Sequence, residues 1–338
     1  MLPPESRLQL TPEMSICRLL NGLWQVSGGH GKIDPQTAIA EMQQYLADGF
    51  TTWDLADHYG PAEDFIGELR RQIRRDRGEA ALNDMQALTK WVPRPGPMSR
   101  DVVEHNINLS RQRMDTDTLD MLQFHWWDYG DDRYLDALLH LRDLQTEGAI
   151  RYLALTNFDT RHLQIILDNG IPILSNQVQF SLIDQRPLVE MVPFCQAHGV
   201  HLFAYGTLCG GLLSDAYLGV KEPGRWGLDT ASQRKYKNMI DLWGGWAKFQ
   251  ILLKTLKEIG DRHGVSLSNV AVRFVLDQPA VAGTIVGARL SIAEHRADNA
   301  RVFDFALTEA DHAAIRAACE GSRNLFQYIG DCGDEYRR

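Results

Sequence analysis

The sequence is poor in cysteine and has no long hydrophobic run. Its five cysteines are scattered over 338 residues without a C-x-x-C pair, which excludes a disulfide framework and is typical of a reducing compartment. No apolar run approaches the roughly 20 residues that a membrane-spanning helix needs. The opening residues lack the basic and apolar regions of a secretory signal. We therefore expect a cytoplasmic protein without a membrane partner.

An excess of positive charge is also missing. The formal net charge is −9, and the isoelectric point is near 5.7. Such a surface repels phosphate backbones and anionic lipid headgroups, so nucleic acid is not expected as a partner. The content of 44% hydrophobic and 23% charged residues is ordinary for a globular protein. No linker-like stretch interrupts the chain, so we predict one domain over residues 1–338.

The chain lacks the G-x-G-x-x-G motif that an open, doubly wound sheet usually carries after its first strand. Instead, a short apolar run followed by a longer amphipathic stretch recurs along the chain. The apolar runs are Cys17–Val26, Thr51–Leu55, Met85–Val92, Leu119–His125, Ile150–Thr156, Ile173–Val178, His201–Tyr205 and Gly283–Val286. The amphipathic stretches are Pro35–Ala47, Ala62–Arg74, Arg100–Met114, Tyr134–Gly148, Arg161–Asp168, Leu188–His198, Ala247–Arg262 with Ser268–Asp277, and Ser291–Val302. Parallel strands alternating with helices close into a barrel at eight units, so we predict an α/β fold of the (β/α)8 TIM-barrel class.

Two segments fall outside this alternation. Residues 1–16 are predicted to form an N-terminal hairpin that closes the bottom of the barrel. Residues 208–246 are rich in glycine and lack clear periodicity, so we predict a long loop over the face where the strands end. A loop of that length in a compact domain is usually functional.

Polar residues stand at or just beyond the ends of three successive runs, where the catalytic residues of a (β/α)8 barrel lie. A lysine ammonium near a tyrosine lowers the pKa of the phenol, an aspartate holds the ammonium, and a histidine can orient a carbonyl group. Asp54, Tyr59, Lys90 and His125 together predict such an acid–base site. Taken singly, Lys90 and His125 more commonly have strand-end and packing roles, and Asp54 and Tyr59 fit turn and capping roles, so the prediction depends on their joint occurrence at consecutive strand ends.

The stretches around these residues resemble the motifs of the aldo-keto reductase family, in which an aspartate precedes the catalytic tyrosine by five positions. The resembling stretches, in chain order, are Trp53–Gly60, Leu88–Lys90, Asp120–Trp126, Thr156–Phe158, Ser175–Gln177 and Ile285–Arg289. The resemblance implies that Tyr59 is the general acid, that Lys90 and Asp54 tune it, and that His125 orients the substrate carbonyl.

The resemblance also implies an NADPH site. Thr156, Asn157 and Gln177 are implied to hold the nicotinamide carboxamide, and Tyr205 to stack on the ring. The residues implied to cover the pyrophosphate are Gly206, Thr207, Leu208 and Gly210. Those implied to meet the adenosine end are Gly287, Arg289, Ser291, Glu294 and Asn299. A fixed guanidinium at Arg289 favours the 2′-phosphate, so NADPH is expected over NADH.

Two positions depart from the family pattern. Gly206 and Thr207 stand where Ser-Pro is common, which removes one hydroxyl from the pyrophosphate contacts. Glu294 stands where glutamine is common, and its carboxylate near the phosphate is expected to weaken the preference for NADPH.

The substrate pocket is expected to have aromatic walls from Trp24, Trp91 and Trp126, which favour apolar or planar substrates. The tryptophans of the long loop, Trp226, Trp243 and Trp246, form a lid or anchor the loop. His58, Arg94 and Arg225 are the polar alternatives, which suit a sugar or a carboxylate. No metal site is predicted, because His198 and His201 straddle a helix end and a strand start.

The expected function is therefore the NADPH-dependent reduction of an aldehyde or ketone by a monomer or small homo-oligomer. The same site fits an alcohol or sugar dehydrogenase working in the reverse direction. A cofactor-binding subunit of a larger complex and a cofactor-free barrel hydrolase are the remaining alternatives.

Overall fold

Eight parallel strands form a closed barrel in the computed structural model, which describes residues 2–28, 33–224 and 227–337. Neighbouring strands follow the order β10-β3-β4-β5-β6-β7-β8-β9, and β1 pairs with β2 in a separate antiparallel hairpin. The strands are β1 (Arg7–Thr11), β2 (Met14–Cys17), β3 (Leu19–Gly22), β4 (Thr52–Asp54), β5 (Gln86–Trp91), β6 (Leu119–Phe124), β7 (Ile150–Thr156), β8 (Ser175–Gln179), β9 (His201–Tyr205) and β10 (Val281–Gly287). Each predicted apolar run overlaps one barrel strand, so the predicted (β/α)8 barrel is confirmed.

Helices surround the barrel and connect its strands. In the described part of the chain they are α1 (Pro35–Asp48), α2 (Ala62–Arg77), α3 (Arg100–Arg113), α4 (Tyr134–Thr146), α5 (Thr160–Asp168), α6 (Met191–His198), α7 (Ala231–Trp243), α8 (Gly245–His263), α9 (Leu267–Leu276), α10 (Arg296–Ala300), α11 (Glu309–Cys319) and α12 (Leu325–Ile329). None of these helices is long and apolar enough to cross a membrane.

Local signals in the sequence explain where α1 begins and ends. The Asp34 carboxylate accepts the Thr37 N–H at 2.8 Å, and Pro35 occupies the first helical position, where no N–H is needed. Gly49 then ends the helix in the left-handed conformation at φ 102°.

Three predicted boundaries are wrong. The run Cys17–Val26 holds only the four-residue strand β3, because Cys17 ends the hairpin and Leu23–Val26 form a 3₁₀ turn. The stretch predicted from Leu188 becomes helical only at Met191. The stretch Ser291–Val302 is helical only over Arg296–Ala300, followed by a 3₁₀ turn.

The N-terminal hairpin closes the bottom of the barrel, as predicted. Leu10, Met14 and Ile16 are buried and pack with inward-facing strand residues such as Leu88 and Phe203. This small apolar cluster is separate from the larger one between the strands and the surrounding helices. The hairpin therefore covers the end of the barrel opposite the ends of the strands.

The prediction of one long loop over residues 208–246 is wrong in part, because Ala231–Trp243 form α7. A capping box starts this helix: the Thr230 hydroxyl accepts the Gln233 N–H, and the Gln233 side chain accepts from the Thr230 N–H. Trp243 and Trp246 are buried, and the Trp246 indole donates to the Val220 carbonyl at 2.9 Å. These two tryptophans anchor the segment, while Arg225 and Trp226 lie outside the described residues.

Candidate active site

An ion pair occupies the centre of the barrel where β4 and β5 end. The register pairs Asp54 with Leu88, so Lys90, two residues further along β5, lies on the same face. Lys90 Nζ donates to both Asp54 carboxylate oxygens at 2.7 Å and to the Leu55 carbonyl at 3.1 Å. An ammonium has three N–H donors, so these acceptors use all of them. Burial lowers the pKa of Lys90, and the Asp54 carboxylate opposes that shift.

Two glutamines complete the surroundings of Asp54. The Nε2 atoms of Gln123 and Gln177 lie 3.0 and 2.7 Å from Asp54 Oδ1. Gln177 Nε2 also lies 2.7 Å from Gln123 Oε1. The Asp54 carboxylate is therefore held in one orientation by donors from three other strands. Gln123 was not among the predicted residues, although a glutamine two positions before His125 in an apolar strand is a usable signal.

Tyr59 lies in the turn between β4 and α2, above this ion pair. Lys90 Nζ is 5.2 Å from the centroid of its ring, and Trp24 packs edge-on against it at 4.9 Å. Burial raises the pKa of Tyr59 well above its usual value, and the Asp54 carboxylate raises it further. The expected lowering of this pKa by Lys90 is therefore not found, because the ammonium is bound to Asp54 and the phenol is surrounded by packed side chains.

His125 follows β6 and lies near Tyr59 at the mouth of the barrel. Its Nδ1 is 3.0 Å from the Thr156 carbonyl, which can only accept, so Nδ1 carries the proton. Burial lowers the pKa of His125 to about 4. Its Nε2 is buried without a hydrogen-bond partner among the described residues. The neutral ring therefore presents Nε2 as an unsatisfied acceptor, to which the hydroxyl group of an alcohol can donate.

The residues predicted to hold the nicotinamide lie together at the ends of β7, β8 and β9. Asn157 follows β7 in the left-handed conformation at φ 58°. Its Oδ1 accepts from the Tyr205 hydroxyl at 2.8 Å. Thr156 Oγ1 donates to the Gln177 carbonyl at 3.3 Å, which links β7 to β8.

The predicted pyrophosphate loop follows β9 as a tight, glycine-dependent turn. Gly206 and Gly210 have φ values of 71° and 66°. A Cβ on Gly206 would lie 2.2 Å from the Tyr236 hydroxyl, and one on Gly210 would lie 2.8 Å from the Ser232 carbonyl carbon in the backbone of α7, so the loop packs closely against that helix. Thr207 Oγ1 donates to the Phe180 carbonyl, and the partly buried Leu208 packs against the main core. The side chains of both residues are therefore engaged by the protein itself.

The residues predicted for the adenosine end follow β10. Gly287 ends that strand, and the exposed guanidinium of Arg289 has no hydrogen bond or ion pair with any described residue. Ser291 is tied to the start of α1, since its Oγ accepts from the Asp34 N–H at 3.2 Å. Glu294 accepts from the Arg296 guanidinium at 3.2 Å, and Asn299 lies on α10.

The structure does not bring the three predicted pocket tryptophans together. Trp24 is 38% exposed beside Tyr59, whereas Trp91 and Trp126 are buried against Phe124 on the outer side of the barrel wall. The mouth is lined instead by Trp127, which is 39% exposed and packs edge-on against His125 at 4.3 Å. Trp127 was missed, although it lies two positions after His125.

The C-terminal residues were missed altogether. Tyr336 lies 6.2 Å from the His125 ring and 6.1 Å from the Trp127 ring, between centroids, and its hydroxyl is 3.1 Å from that of Tyr205. Glu335 Oε1 is 3.3 Å from the same Tyr205 hydroxyl. Glu335 and Tyr336 lie far beyond the last of the alternating apolar runs and amphipathic stretches, so no local sequence signal connects them to the barrel mouth.

The described residues predicted as polar alternatives for the substrate pocket lie at the rim of the barrel mouth. His58 Nδ1 is 2.7 Å from the Asp57 carboxylate, and both His58 and Arg94 are exposed. Within the described ranges, no group of three or more histidine, cysteine, aspartate or glutamate side chains is placed to hold a metal ion.

Comparison with known proteins identifies the family. The model of the aldo/keto reductase family matches residues 18–320. An aryl-alcohol dehydrogenase of Pestalotiopsis microspora is 25% identical over 92% of this chain and 79% of its own. The flagellar radial spoke protein 5 of Chlamydomonas reinhardtii is 26% identical over 66% of this chain, and the match spans 49% of that relative. An aldo/keto reductase of Klebsiella pneumoniae, solved with NADP and acetate, has a TM-score of 0.67 at 21% identity and covers 91% of this chain and 94% of its own. Because the family model matches most of its length, the chain belongs to the aldo/keto reductase family of NAD(P)H-dependent oxidoreductases.

Proposed function

We propose that the chain reduces a planar aldehyde or ketone to the alcohol with NADPH, and that Tyr59 donates the proton. The observation that carries the proposal is the convergence of Tyr59 with the Lys90–Asp54 pair and the unsatisfied Nε2 of His125 at the barrel mouth. Perturbed, mutually close titratable groups in a concave site are the usual mark of acid–base chemistry.

The residues present fit a nicotinamide dinucleotide. Asn157 offers an amide group at the catalytic end, and the Gln177 amide nitrogen is already held by Asp54 and Gln123. A glycine-containing turn at Gly206 and Gly210 offers backbone, and Arg289 offers an exposed cation. When bound, the cofactor supplies the hydride. The Klebsiella pneumoniae reductase of this fold was solved with NADP, which supports the choice of cofactor.

The protein's own part is to hold and deliver a proton. Tyr59 keeps its proton at neutral pH because burial and Asp54 raise its pKa. The phenol is therefore in the donor form that reduction needs. Lys90 supplies positive charge 5.2 Å from the phenol ring, which stabilises the phenolate left after transfer.

The protonation state of Tyr59 makes reduction and oxidation depend on pH in opposite ways. Oxidation of an alcohol needs Tyr59 as a phenolate, and its raised pKa disfavours that form at neutral pH. The rate of oxidation is therefore expected to rise as the pH becomes alkaline, whereas reduction finds Tyr59 protonated at neutral pH.

The planar substrate class rests on the aromatic rim. Trp24 and Trp127 are each more than a third exposed and flank Tyr59 and His125, respectively. Flat, apolar walls favour an aromatic or conjugated carbonyl over a sugar. The similarity to a radial spoke protein favours a second role, cofactor binding within a larger assembly.

The test compares Tyr59→Phe with the wild-type enzyme on substituted benzaldehydes. We expect the variant to bind NADPH normally, measured by quenching of tryptophan fluorescence, while kcat falls by at least about a hundredfold because the proton donor is lost. Tyr152→Phe removes a tyrosine hydroxyl that bonds to the hairpin, and it serves as the matched control with unchanged kcat. Turnover retained in Tyr59→Phe would contradict the assignment. Binding without turnover in the wild type would favour the second role.

A further inference from the structure

Residues 331–337, called the C-terminal segment, cover the residues proposed to receive the nicotinamide. The Tyr205 hydroxyl lies 2.8 Å from Asn157 Oδ1, 3.1 Å from the Tyr336 hydroxyl and 3.3 Å from Glu335 Oε1. The backbone at Gly333 approaches so closely that a Cβ there would lie 2.0 Å from the Asn157 carbonyl oxygen. Asn157 and Tyr205 are thus both in contact with the C-terminal segment.

The ring of Tyr336 reaches across the mouth. Its edge-to-face packing on His125 and Trp127 places the ring beside the catalytic histidine, while its hydroxyl reaches Tyr205. Lys235 of α7 lies 2.5 Å from that hydroxyl and 4.5 Å from the ring centroid. A planar ring bordered by hydrogen-bonding groups therefore lies between His125 and Tyr205, beside the residues proposed to receive the nicotinamide.

A buried ion pair fastens the segment. Arg186 is 2% exposed, and its Nη1 donates to Glu335 Oε2 and to the Asp331 carbonyl, both at 2.9 Å. Asp184 binds the other edge of the same guanidinium, at 2.8 and 2.9 Å. Loss of the Glu335 charge would therefore weaken the attachment of the segment without leaving Arg186 unpaired.

Further contacts hold the two ends of the segment. The Asp331 carboxylate accepts from the Thr160 N–H at 2.7 Å. The Arg337 guanidinium lies 3.9 Å from the centroid of the Tyr129 ring, and its Nη2 donates to the Trp126 carbonyl at 2.7 Å. The segment is thus docked along its length.

We propose that the C-terminal segment and the nicotinamide compete for the same place, so that the chain carries its own competitor for the cofactor. The inference rests on the proposed function, since it assumes that Asn157 and Tyr205 receive the nicotinamide. Binding then requires the Glu335–Arg186 contact to open first. The apparent dissociation constant equals the intrinsic one divided by the fraction of open molecules.

The first test follows NADPH binding by stopped-flow quenching of tryptophan fluorescence in the full-length protein. In the wild type, the observed rate is expected to level off with NADPH concentration, because opening limits binding. Glu335→Gln keeps the shape but weakens the hold on Arg186, so the plateau rises and the apparent dissociation constant falls by about tenfold. Glu309→Gln, an exposed change on α11, should match the wild type.

The second test needs no turnover. Hydrogen–deuterium exchange of the peptide covering residues 331–337 should be slow before NADPH is added and fast afterwards. Tyr336→Ala, which removes the competing ring, should also bind NADPH more tightly.

Two outcomes overturn the inference in different ways. If Glu335→Gln and Tyr336→Ala bind NADPH as the wild type does, and exchange of the segment is unaffected, the segment and the cofactor do not compete. If neither NADPH nor NADH binds to any of these proteins, the proposed cofactor fails as well.

Discussion

The exposed Arg289 is the residue on which the choice between the two dinucleotides depends. Its guanidinium has no protein partner among the described residues, and a 2′-phosphate would supply one. The nearby Glu294 is already engaged by Arg296, which reduces its repulsion of that phosphate. A preference for NADPH is therefore expected despite the glutamate.

We expect Arg289→Ala to raise the Kd for NADPH by about tenfold and to leave that for NADH nearly unchanged. Fluorescence titration with both cofactors measures the two constants. Arg316→Ala, on the exposed face of α11, is the control. An equal loss of affinity for both dinucleotides would place Arg289 away from the phosphate.

His125 makes the stability of the fold dependent on pH. Its pKa is about 4 in the folded protein and near 6.5 when unfolded, so the unfolded chain binds more protons between these values. The free energy of unfolding must therefore fall as pH decreases through this window, by about 2 kcal/mol at pH 5 for this one group.

His125→Asn should remove this part of the pH dependence. Urea unfolding at pH 7 and pH 5 gives the difference for each protein, and the variant should lose less stability than the wild type. His105→Asn makes the same change on the exposed face of α3 and should behave as the wild type does. If all three proteins lose the same free energy of unfolding between pH 7 and pH 5, burial does not lower the pKa of His125.

The four proposed catalytic residues could be selected because each stands at or just beyond a strand end, but the pocket tryptophans were assigned without regard to alternation. Trp91 and Trp126 each follow a catalytic residue by one position, and adjacent strand residues point to opposite faces. The same alternation, counted two positions forward and two positions back from His125, would have selected Trp127 and Gln123. Tyr336 and Glu335 reach the site through tertiary contacts with Arg186 and Tyr205, which no local pattern encodes.

At the scale of elements, the alternation of runs and helices was enough to predict the barrel, since parallel strands require crossovers. Helix α7 escaped prediction because the glycines around it obscured its amphipathic face. That helix matters to the site, because it places Lys235 beside Tyr336 and Tyr236 against Gly206.

The N-terminal hairpin is an element that stabilises the barrel without contacting the site. Ile16 is fully buried among inward-facing strand residues. Ile16→Ala is expected to lower the free energy of unfolding by about 3 kcal/mol through lost burial and a cavity. Denaturant unfolding measures this cost.

The NADPH affinity of Ile16→Ala should stay unchanged, since the hairpin closes the other end of the barrel. Gln9→Ala, on the exposed side of the hairpin, should change stability by less than about 0.5 kcal/mol. A loss of NADPH affinity in Ile16→Ala would show that the two ends of the barrel are coupled.

At the scale of the whole molecule, stability and chemistry are divided between the two ends of one barrel. The lower end is apolar and covered by the hairpin, whereas the upper end collects the charged and aromatic residues. A ligand that binds at the upper end only in the folded state stabilises the entire barrel by mass action.

NADPH at a hundred times its Kd should therefore raise the free energy of unfolding by about 2.7 kcal/mol. Thermal melts with and without NADPH measure the effect, and the Arg289→Ala protein should need more cofactor for the same shift. If neither NADPH nor NADH changes the melting temperature, the proposed binding of a nicotinamide cofactor is contradicted.

The closed lower end has a consequence for isotope exchange at Lys90. The Lys90 side chain is buried, the hairpin closes the barrel below it, and the Tyr59 ring lies 5.2 Å above its ammonium. Because its three N–H groups donate to Asp54 and Leu55, the ammonium should exchange its protons with solvent far more slowly than a surface lysine does. A nitrogen-15 label at this one side chain would then give a resolved magnetic resonance signal, whose lifetime records how often the mouth of the barrel admits a water molecule.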